Sequence, residues 1–429
     1  MPSRCFRAAL VLLLVCAGQV SAKTATLFSY VPEETVFFYA NSVPLPSEFY
    51  DEQVRQAEQV LSIAIHQREI QQQALNAAPG EGEAAAAKAP APATKPAERF
   101  LRELMMEVLQ NAESDRLANI GLSRNSRTMI YGLGLTPVMR IEIDDPDAVM
   151  ALLRRVEQRT GFKLNLQNCD GLNCLVVTDD SGQFGVALVI HKQHLAASLF
   201  QNAYRDKVMQ HLTGSKMPEK SYTEAQFRQF VESNGYSGYG AGFFRLRQGI
   251  DNLENVAIAA LKQQGQEGKS AQVGKCFQVA RAVTAHAPEV IMGIKSIEGR
   301  TINMEAVLKT TPEVAKMLMA IPAPINGLEV SSNPMVDFGF SANVPKLRDS
   351  LLAFMAFLGK SGEQAGCEAI RKQAMDQASM GVAMAMGMGI TQVKTLYFAV
   401  DELTLDQQGR PQKAEARFSL VADDPMGLV

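Results

Sequence analysis

The sequence predicts an α+β protein whose antiparallel, curved sheets carry paired helices on one face. Short apolar or aromatic segments alternate with segments of helical periodicity, and a strand–helix–helix–hairpin order recurs about three times. Hydrophobic residues make up 47% of the 429 residues, a globular fraction that excludes a disordered or collagen-like chain. With 42 Lys and Arg against 45 Asp and Glu, and no basic block, we expect no nucleic-acid partner.

Each predicted repeat begins with an apolar strand that leads into two helices. The three strands are expected at residues 35–43, 236–246 and 334–344. The first helices are expected at residues 46–75, 249–263 and 346–358. The second helices are expected at residues 98–111, 274–286 and 364–388.

A pair of strands closes each predicted repeat. The pairs are expected at residues 128–134 with 138–144, 290–297 with 301–308, and 393–403 with 413–421. Gly299 and Gly409 suit the turns of the second and third pairs. Further helices are expected at 146–158 and 312–319. We interpret Asp144-Asp145-Pro146-Asp147 as the start of the first of these helices and not as a catalytic or calcium site.

The predicted boundaries divide the chain into a signal peptide and three repeats. Residues 1–22 are the signal peptide, 23–76 the first strand and helix of repeat 1, 77–97 a disordered Ala/Pro-rich linker, 98–218 the rest of repeat 1, 219–328 repeat 2 and 329–429 repeat 3. The linker has no large apolar residue, so it cannot bury enough surface to become ordered. Its flanking helices would form a helical hairpin over residues 46–111.

The first 22 residues have the pattern of a secretory signal peptide. Two arginines precede an apolar run at residues 8–17, and Val20-Ser21-Ala22 forms a small-residue cleavage site. The run is too short to cross a bilayer. We therefore predict a periplasmic or otherwise exported protein. A lipoprotein attached through Cys16 is the weaker alternative, because Val15 stands where a small residue is expected.

Four cysteines remain after the predicted signal peptide, an even number that fits an oxidising compartment. Cys169 and Cys174 flank Asp170-Gly171, a turn dipeptide that brings its neighbours together. We therefore favour one disulfide between these two and a second between Cys276 and Cys367. A zinc site formed by the four thiolates is the alternative, but the spacing that is usual for such sites is missing.

No catalytic, cofactor or metal site emerges from the motifs. His191 and His194 are spaced so that they could share a helical face, but no third metal ligand lies nearby in the sequence. We interpret them as solvated or core-edge histidines. The segment around Ser237 lacks the final glycine of a nucleophile elbow, because Tyr239 takes its place.

Methionine is the most unusual positive feature. Five methionines crowd the second helix of repeat 3, namely Met375, Met380, Met384, Met386 and Met388. They form a possible apolar-ligand surface, since methionine adapts to varied apolar partners, while a tightly packed core helix is the competing interpretation. Copper binding is a further alternative. The uncharged residues 377–393 are interpreted as a buried helix, so we expect no transmembrane segment in the mature chain.

Three stretches together resemble a family of exported bacterial proteins of the cell envelope whose function is unknown. They are Tyr30-Val-Pro-Glu-Glu-Thr-Val-Phe-Phe-Tyr39, Tyr131-Gly-Leu-Gly-Leu-Thr-Pro-Val-Met-Arg140 and the Met/Gly-rich helix before the last strand pair. Pro32-Glu-Glu-Thr35 stands where members of that family have a Pro-Ala-Asp-Thr-like strand entry. The resemblance implies an envelope protein and supplies no catalytic residues.

Three classes of function are compatible with these features. The first is a non-catalytic binding or interaction protein, with an apolar, lipid-like ligand in a sheet–helix groove. The second is an assembly or structural factor of the envelope, which would reach a protein partner through the helical hairpin. The third is a hydrolase whose site residues are dispersed along the chain.

Overall fold

The fold is described by a computed structural model over most of the chain. The described residues are 27–55, 57, 96–113, 115–178, 181–299, 301–323, 336–364, 366–368, 372, 376, 393–405 and 411–422. The predicted signal peptide, most of the linker and most of the Met-rich helix therefore lie outside them. The chain forms two compact units, Met1–Gly249 with Val290–Val307, and Ile250–Glu289 with Leu308–Val429.

The described chain contains thirteen strands and nine α-helices. The strands are β1 (Phe37–Ala40), β2 (Thr128–Leu133), β3 (Thr136–Glu142), β4 (Leu166–Cys169), β5 (Leu172–Thr178), β6 (Phe184–Ile190), β7 (His194–Gln201), β8 (Ala241–Arg245), β9 (Glu289–Glu298), β10 (Thr301–Lys309), β11 (Val336–Ser341), β12 (Val393–Leu405) and β13 (Pro411–Ala422). Helix α1 is described over residues 47–55. The other helices are α2 (Pro96–Glu113), α3 (Pro146–Thr160), α4 (Arg205–Thr213), α5 (Glu224–Ser233), α6 (Leu246–Gln263), α7 (Ser270–His286), α8 (Pro312–Met319) and α9 (Val344–Gln364).

The α+β class is confirmed, and the first compact unit is built on one large sheet. Its strand order is β10-β9-β8-β1-β2-β3-β7-β6-β5-β4. The pairing is antiparallel from β8 through β4. All three predicted strand pairs form, as β2–β3, β9–β10 and β12–β13. Strands β4 to β7 and helices α4 and α5 were not predicted, because they interrupt the recurring order that guided the prediction.

The two faces of the large sheet are covered by different layers. On one face, α4, α5 and the segment at 27–31 enclose a core that contains Phe38, Tyr131 and Phe227. On the other face, α1, α2 and α3 enclose a second core together with Leu175 and Ile190 of the sheet. Helices therefore lie on both faces of this sheet, whereas the sequence predicts them on one.

Helix α3 shows how local sequence sets these elements. Asp145 caps its N-terminus by accepting hydrogen bonds from the backbone N–H groups of Asp147 and Ala148. Pro146 occupies the first turn, and Gly161 ends the helix in the left-handed conformation at φ 69°. The acid cluster therefore caps a helix, as the sequence analysis proposes.

The second compact unit contains a three-stranded sheet with the order β11-β12-β13. Helices α7 and α9 pack together in this unit, and the Cys276–Cys367 disulfide joins α7 to the segment that follows α9. Arg281 of α7 forms ion pairs with Asp251 and Glu254 of α6. None of the helices in the described ranges is both long and apolar enough to span a bilayer.

The strand order bears on the predicted repeats. The first strand of each repeat, β1, β8 or β11, lies beside the first strand of its own hairpin, β2, β9 or β12. In the large sheet, β1 and β8 are also neighbours and pair in antiparallel fashion. The internal repeat stays a prediction, because a shared strand order does not by itself establish that the three segments have the same structure.

The two disulfides differ in the length of chain that they close, which leads to a first prediction. Cys276 and Cys367 are 91 residues apart, and Cys169 and Cys174 are five apart. In the chain-entropy model, these loops stabilise the fold by about 4–5 and about 2 kcal/mol, respectively. Replacing both cysteines of the long loop by serine should therefore lower the unfolding free energy by more than the same change in the short loop.

Chemical denaturation of the two double serine variants would test this prediction. Peptide mapping without reduction would first verify the pairing in the unmodified protein. Equal losses of unfolding free energy in the two variants would contradict the loop-length argument.

Candidate functional site

The cysteines lie in the pairs that the sequence analysis favours. Cys169 and Cys174, with Cα atoms 5.9 Å apart, are joined across the turn between β4 and β5. Asp170 and Gly171 occupy that turn with φ of 53° and 83°, the left-handed region that this dipeptide tolerates. Cys276 and Cys367 form the second disulfide, with Cα atoms 5.1 Å apart. Four bonded cysteines leave no thiolate in these pairs for zinc.

The five methionines of the predicted apolar-ligand surface, Met375, Met380, Met384, Met386 and Met388, lie outside the described residues. Their role as a binding surface or as a core helix therefore stays a prediction.

The two close histidines do not share a helix. His191 follows β6 and His194 begins β7, so they flank a tight turn, and their rings stack with centroids 4.0 Å apart. Their exposures of 9% and 4% show that both are buried, which agrees with the core-edge interpretation and not with the solvated one. His211, near the end of α4, is a third buried histidine on the same face of the sheet.

These histidines surround Arg140, which is fully buried on β3. Its guanidinium donates hydrogen bonds from Nε to the Tyr131 hydroxyl at 2.9 Å and from Nη1 to His194 Nε2 at 2.6 Å. Nη2 donates to the backbone carbonyls of His211 at 2.9 Å and Leu212 at 3.3 Å. No carboxylate of the described chain lies within ion-pair distance of this guanidinium. We name Arg140 and these partners, with Tyr30 and His191, the arginine centre.

Carbonyls and an aromatic ring take the place of a carboxylate at Arg140. The guanidinium lies 3.6 Å from the centroid of the Tyr30 ring, in cation–π contact. The carbonyls of His211 and Leu212 belong to the last turn of α4, where a helix carries partial negative charge and lacks internal donors. Arg140 therefore caps the C-terminus of α4 from within the core.

The charge and burial of the arginine centre keep its histidines neutral. Burial, followed by the charge of Arg140, lowers the pKa of His194 from 6.5 to about 2 and that of His211 to about 4. Burial also lowers the pKa of His191. Because a guanidinium can only donate, His194 Nε2 must accept, which requires the neutral ring. The arrangement is suited to holding α4 against the sheet.

The sequence contains a signal for the arginine centre that the motif search missed. Val138 and Arg140 of β3 both point to the face of the sheet that α4 and α5 cover, which we call the closed face, as Met129 and Tyr131 of β2 do. In the sequence, Arg140 stands between the apolar Met139 and Ile141 of this strand, and a charged residue within such an apolar run is unusual and indicates a special environment. No motif search aimed at metals or nucleophiles looks for this pattern.

The opposite face of the sheet carries an apolar row that helices do not fully cover. The pairing registers align one residue from each of seven neighbouring strands in the order Phe244, Phe37, Gly132, Pro137, Leu199, Val186 and Val177. We call these seven residues the outer row. Six apolar side chains and one glycine thus cross β8 to β5 without a polar interruption.

Several side chains of the outer row are open to solvent. Leu199 is 51% exposed, Val186 46% and Phe244 36%, and the adjoining Phe184 on β6 is 54% exposed. In contrast, Leu188 and Ile190, further along β6 on the same face, pack against the core of α1, α2 and α3. The helix layer therefore packs on Leu188, Ile190 and Val177, the last residue of the outer row, and leaves Leu199, Val186 and Phe244 of that row open to solvent.

The aromatic end of the outer row is fixed by close packing. The rings of Phe37 and Phe244 stack with an interplanar angle of 5° and centroids 6.3 Å apart. A Cβ at Gly132 would lie 3.0 Å from the Phe37 ring, so the glycine lets this ring lie flat on the neighbouring strand. The row is thus a flat, preformed apolar surface.

A separate open cleft of about 380 Å³ lies between α4 and the β4–β5 hairpin. Arg205 and Asp206 of α4 line it together with Asp170, which accepts a hydrogen bond from Thr213 Oγ1 at 3.0 Å. Its charges are mixed and Thr213 already binds the Asp170 carboxylate, so it does not indicate one class of ligand. Across the described ranges, no group of three or more His, Cys, Asp or Glu side chains is placed to hold a metal ion.

Comparisons with known protein families, with curated proteins and with solved structures find no match for this chain. The resemblance to exported bacterial proteins therefore stays an expectation from the sequence. The candidate sites for a function are therefore the arginine centre, the outer row and the cleft.

The arginine centre predicts that loss of the guanidinium is strongly destabilising. Arg140→Met removes the donors to four acceptors that stay buried, and we expect a loss of about 3 kcal/mol or more in unfolding free energy. Arg140→Lys keeps the charge but not the planar fork, so it should also destabilise. Hydrogen exchange of peptides from β3 and α4 would report the loss. Arg348→Met, on the surface of α9, is the control and should change little.

The neutral histidines predict that the first unit loses stability in mild acid. The unfolded chain binds protons near pH 6.5, whereas folded His211 does so only near pH 4. The unfolding free energy should therefore fall as the pH falls from 6.5 to 4, by up to about 1.4 kcal/mol per pH unit for each buried histidine.

Hydrogen exchange of the same peptides across this pH range would measure the slope. His211→Gln should make the slope shallower by the share of one proton, while His286→Gln, at an exposed site of the second unit, should leave it unchanged. A slope that is insensitive to His211→Gln would contradict the assignment.

Proposed function

We propose that this chain is an exported, non-catalytic binding protein for an apolar, lipid-like ligand, and that the outer row is its binding surface. The observation that carries this proposal is the alignment of six apolar side chains across seven strands, of which Leu199, Val186 and Phe244 are open to solvent. Soluble proteins rarely leave large contiguous apolar patches uncovered unless the patches bind something.

The dimensions of the outer row suit a hydrocarbon chain. Neighbouring strands lie about 4.8 Å apart, so seven strands span about 29 Å. One leaflet of a bilayer contains acyl chains over about 15 Å, half of its hydrocarbon core. An extended acyl chain could therefore lie along the row and contact apolar groups over its whole length.

The chemistry of the outer row favours an apolar ligand over a polar one. A polar ligand needs convergent hydrogen-bonding side chains, and the row itself supplies none. Each buried methylene group of a ligand contributes about 0.8 kcal/mol, so a long chain can gain useful affinity from apolar contact alone. The adjoining Phe184 extends the available apolar surface along β6.

Export is the part of the proposal that rests on the sequence and on the disulfides. Two disulfides fit an oxidising compartment, and the first 22 residues have the pattern of a signal peptide. Envelope assembly through the helical hairpin stays the alternative function. Helices α1 and α2 are anchored in the core, and the part of the hairpin that would reach a partner falls outside the described residues.

Polar substitutions in the outer row should abolish ligand binding without unfolding the protein. Val186 and Leu199 face each other on β6 and β7, and both are about half exposed, so glutamate is tolerated at either position. We expect Val186→Glu with Leu199→Glu to weaken binding of a fluorescent fatty acid at least about tenfold, because a carboxylate cannot share an apolar contact.

A matched control keeps the test specific. Met319→Glu alters the most exposed large apolar side chain of the described residues, at 80%. Met319 belongs to α8 of the second compact unit, which contributes no residue to the outer row. It should leave binding unchanged. The absence of acyl-bearing molecules from organic extracts of the natively purified protein, together with no binding of the fluorescent fatty acid, would refute the proposal.

A further inference from the structure

Within the described residues, β13 is a long edge strand of the three-stranded sheet in the second compact unit. Strand β13 covers twelve residues and pairs on one side with β12, which covers thirteen. Strand β11 covers only six residues and lies on the far side of β12. Residues 412–418 of β13 are all exposed, including Phe418 at 64%. Such an edge offers unpaired backbone groups to another strand.

The sequence of β13 is complementary to itself in antiparallel orientation. If Ala416 faces Ala416 of a second copy across a two-fold axis, Glu415 faces Arg417 of that copy, and Arg417 faces its Glu415. In the same register, Ala414 faces Phe418, which pairs a small side chain with a large one. Residues 411–421 can all take part in this pairing, so nearly the whole strand is used.

Neighbouring registers are less favourable. Centring the pair on residue 415 places Lys413 opposite Arg417, two like charges, and centring it on residue 417 brings no opposite charges together. Opposite charges on directly facing residues stabilise a strand pair, and like charges destabilise it. A register centred on Ala414 also pairs opposite charges, Lys413 with Glu415, but within β13 it uses only residues 411–417. The register centred on Ala416 pairs opposite charges over the longer stretch, residues 411–421, and is therefore favoured.

Among the described residues of the β12–β13 hairpin, acidic side chains outnumber basic ones around Glu415. In the register of the hairpin, Glu415 lies opposite Glu402. Lys413 forms an ion pair with Glu402, and Arg417 Nε donates to Asp401 Oδ2 at 2.7 Å. Three acidic side chains thus share two basic ones, and an arginine from a second copy would restore the balance.

We propose that two copies of this chain associate through antiparallel pairing of their β13 strands, which joins two three-stranded sheets into one of six strands. The interface is isologous, so each Glu415–Arg417 contact occurs twice. A bound peptide from a different protein would use the same edge, but it would not reproduce the self-complementary charge pattern.

Charge reversal separates this proposal from a general effect on folding. Glu415→Arg removes the like-charge contact with Glu402, so the hairpin should stay folded, yet it places two arginines opposite each other in both halves of the interface. We expect self-association, measured by sedimentation velocity over a range of protein concentrations, to weaken at least about tenfold. Glu363→Arg makes the same charge change on α9 and should have no effect.

Mixing provides the decisive observation. Arg417→Glu should also prevent self-association, because it places two glutamates opposite each other. A mixture of the Glu415→Arg and Arg417→Glu proteins should form a one-to-one dimer, since residues 415 and 417 of the two copies then carry opposite charges in both facing pairs. Circular dichroism would verify that both variants are folded. A wild-type protein that stays monomeric at every concentration, or variants that fail to associate with each other, would overturn the proposal.

Discussion

The buried guanidinium of Arg140 holds three layers of the first unit together. It reaches the ring of Tyr30 in the N-terminal segment, the side chain of His194 in the sheet and the last carbonyls of α4. Burying a charge without a carboxylate costs several kcal/mol, and the cation–π contact and charge-assisted hydrogen bonds must offset that cost. Any change that moves one of these layers therefore removes compensation from the same charge.

The same charge explains why the closed face of the sheet is poorly suited to acid–base chemistry. Histidines act as proton carriers when their pKa lies near neutrality, whereas burial and Arg140 lower those of His194 and His211 to about 2 and about 4. The contacts of Arg140 instead hold Tyr30, the sheet and α4 in a fixed arrangement. We therefore infer that the arginine centre stabilises the fold, and that the opposite, partly open face of the sheet is the better candidate for a binding surface.

How much of this could be read from the sequence depends on the range of each signal. The turn at Asp170-Gly171 and the cap at Asp145 are local, and both were predicted because a few neighbouring residues determine them. The outer row is not local, since it needs the registers of seven strands, from Phe37 to Phe244. All seven residues of β6 are apolar or glycine, so the sequence indicates apolar groups on both faces of this strand, but which half of a face the helices cover depends on distant chain segments.

Sheet edges show why the two proposals concern different parts of the protein. Strand β4, one edge of the large sheet, has only four residues and is tied to β5 by the Cys169–Cys174 disulfide, which limits pairing with another chain. Strand β13 is three times as long, and its edge has no comparable protection in the described residues. The proposed ligand binding at the outer row uses side chains on a sheet face of the first unit, whereas the proposed self-association uses the backbone edge of the second. Since no residue is shared, failure of one proposal leaves the physical argument for the other intact.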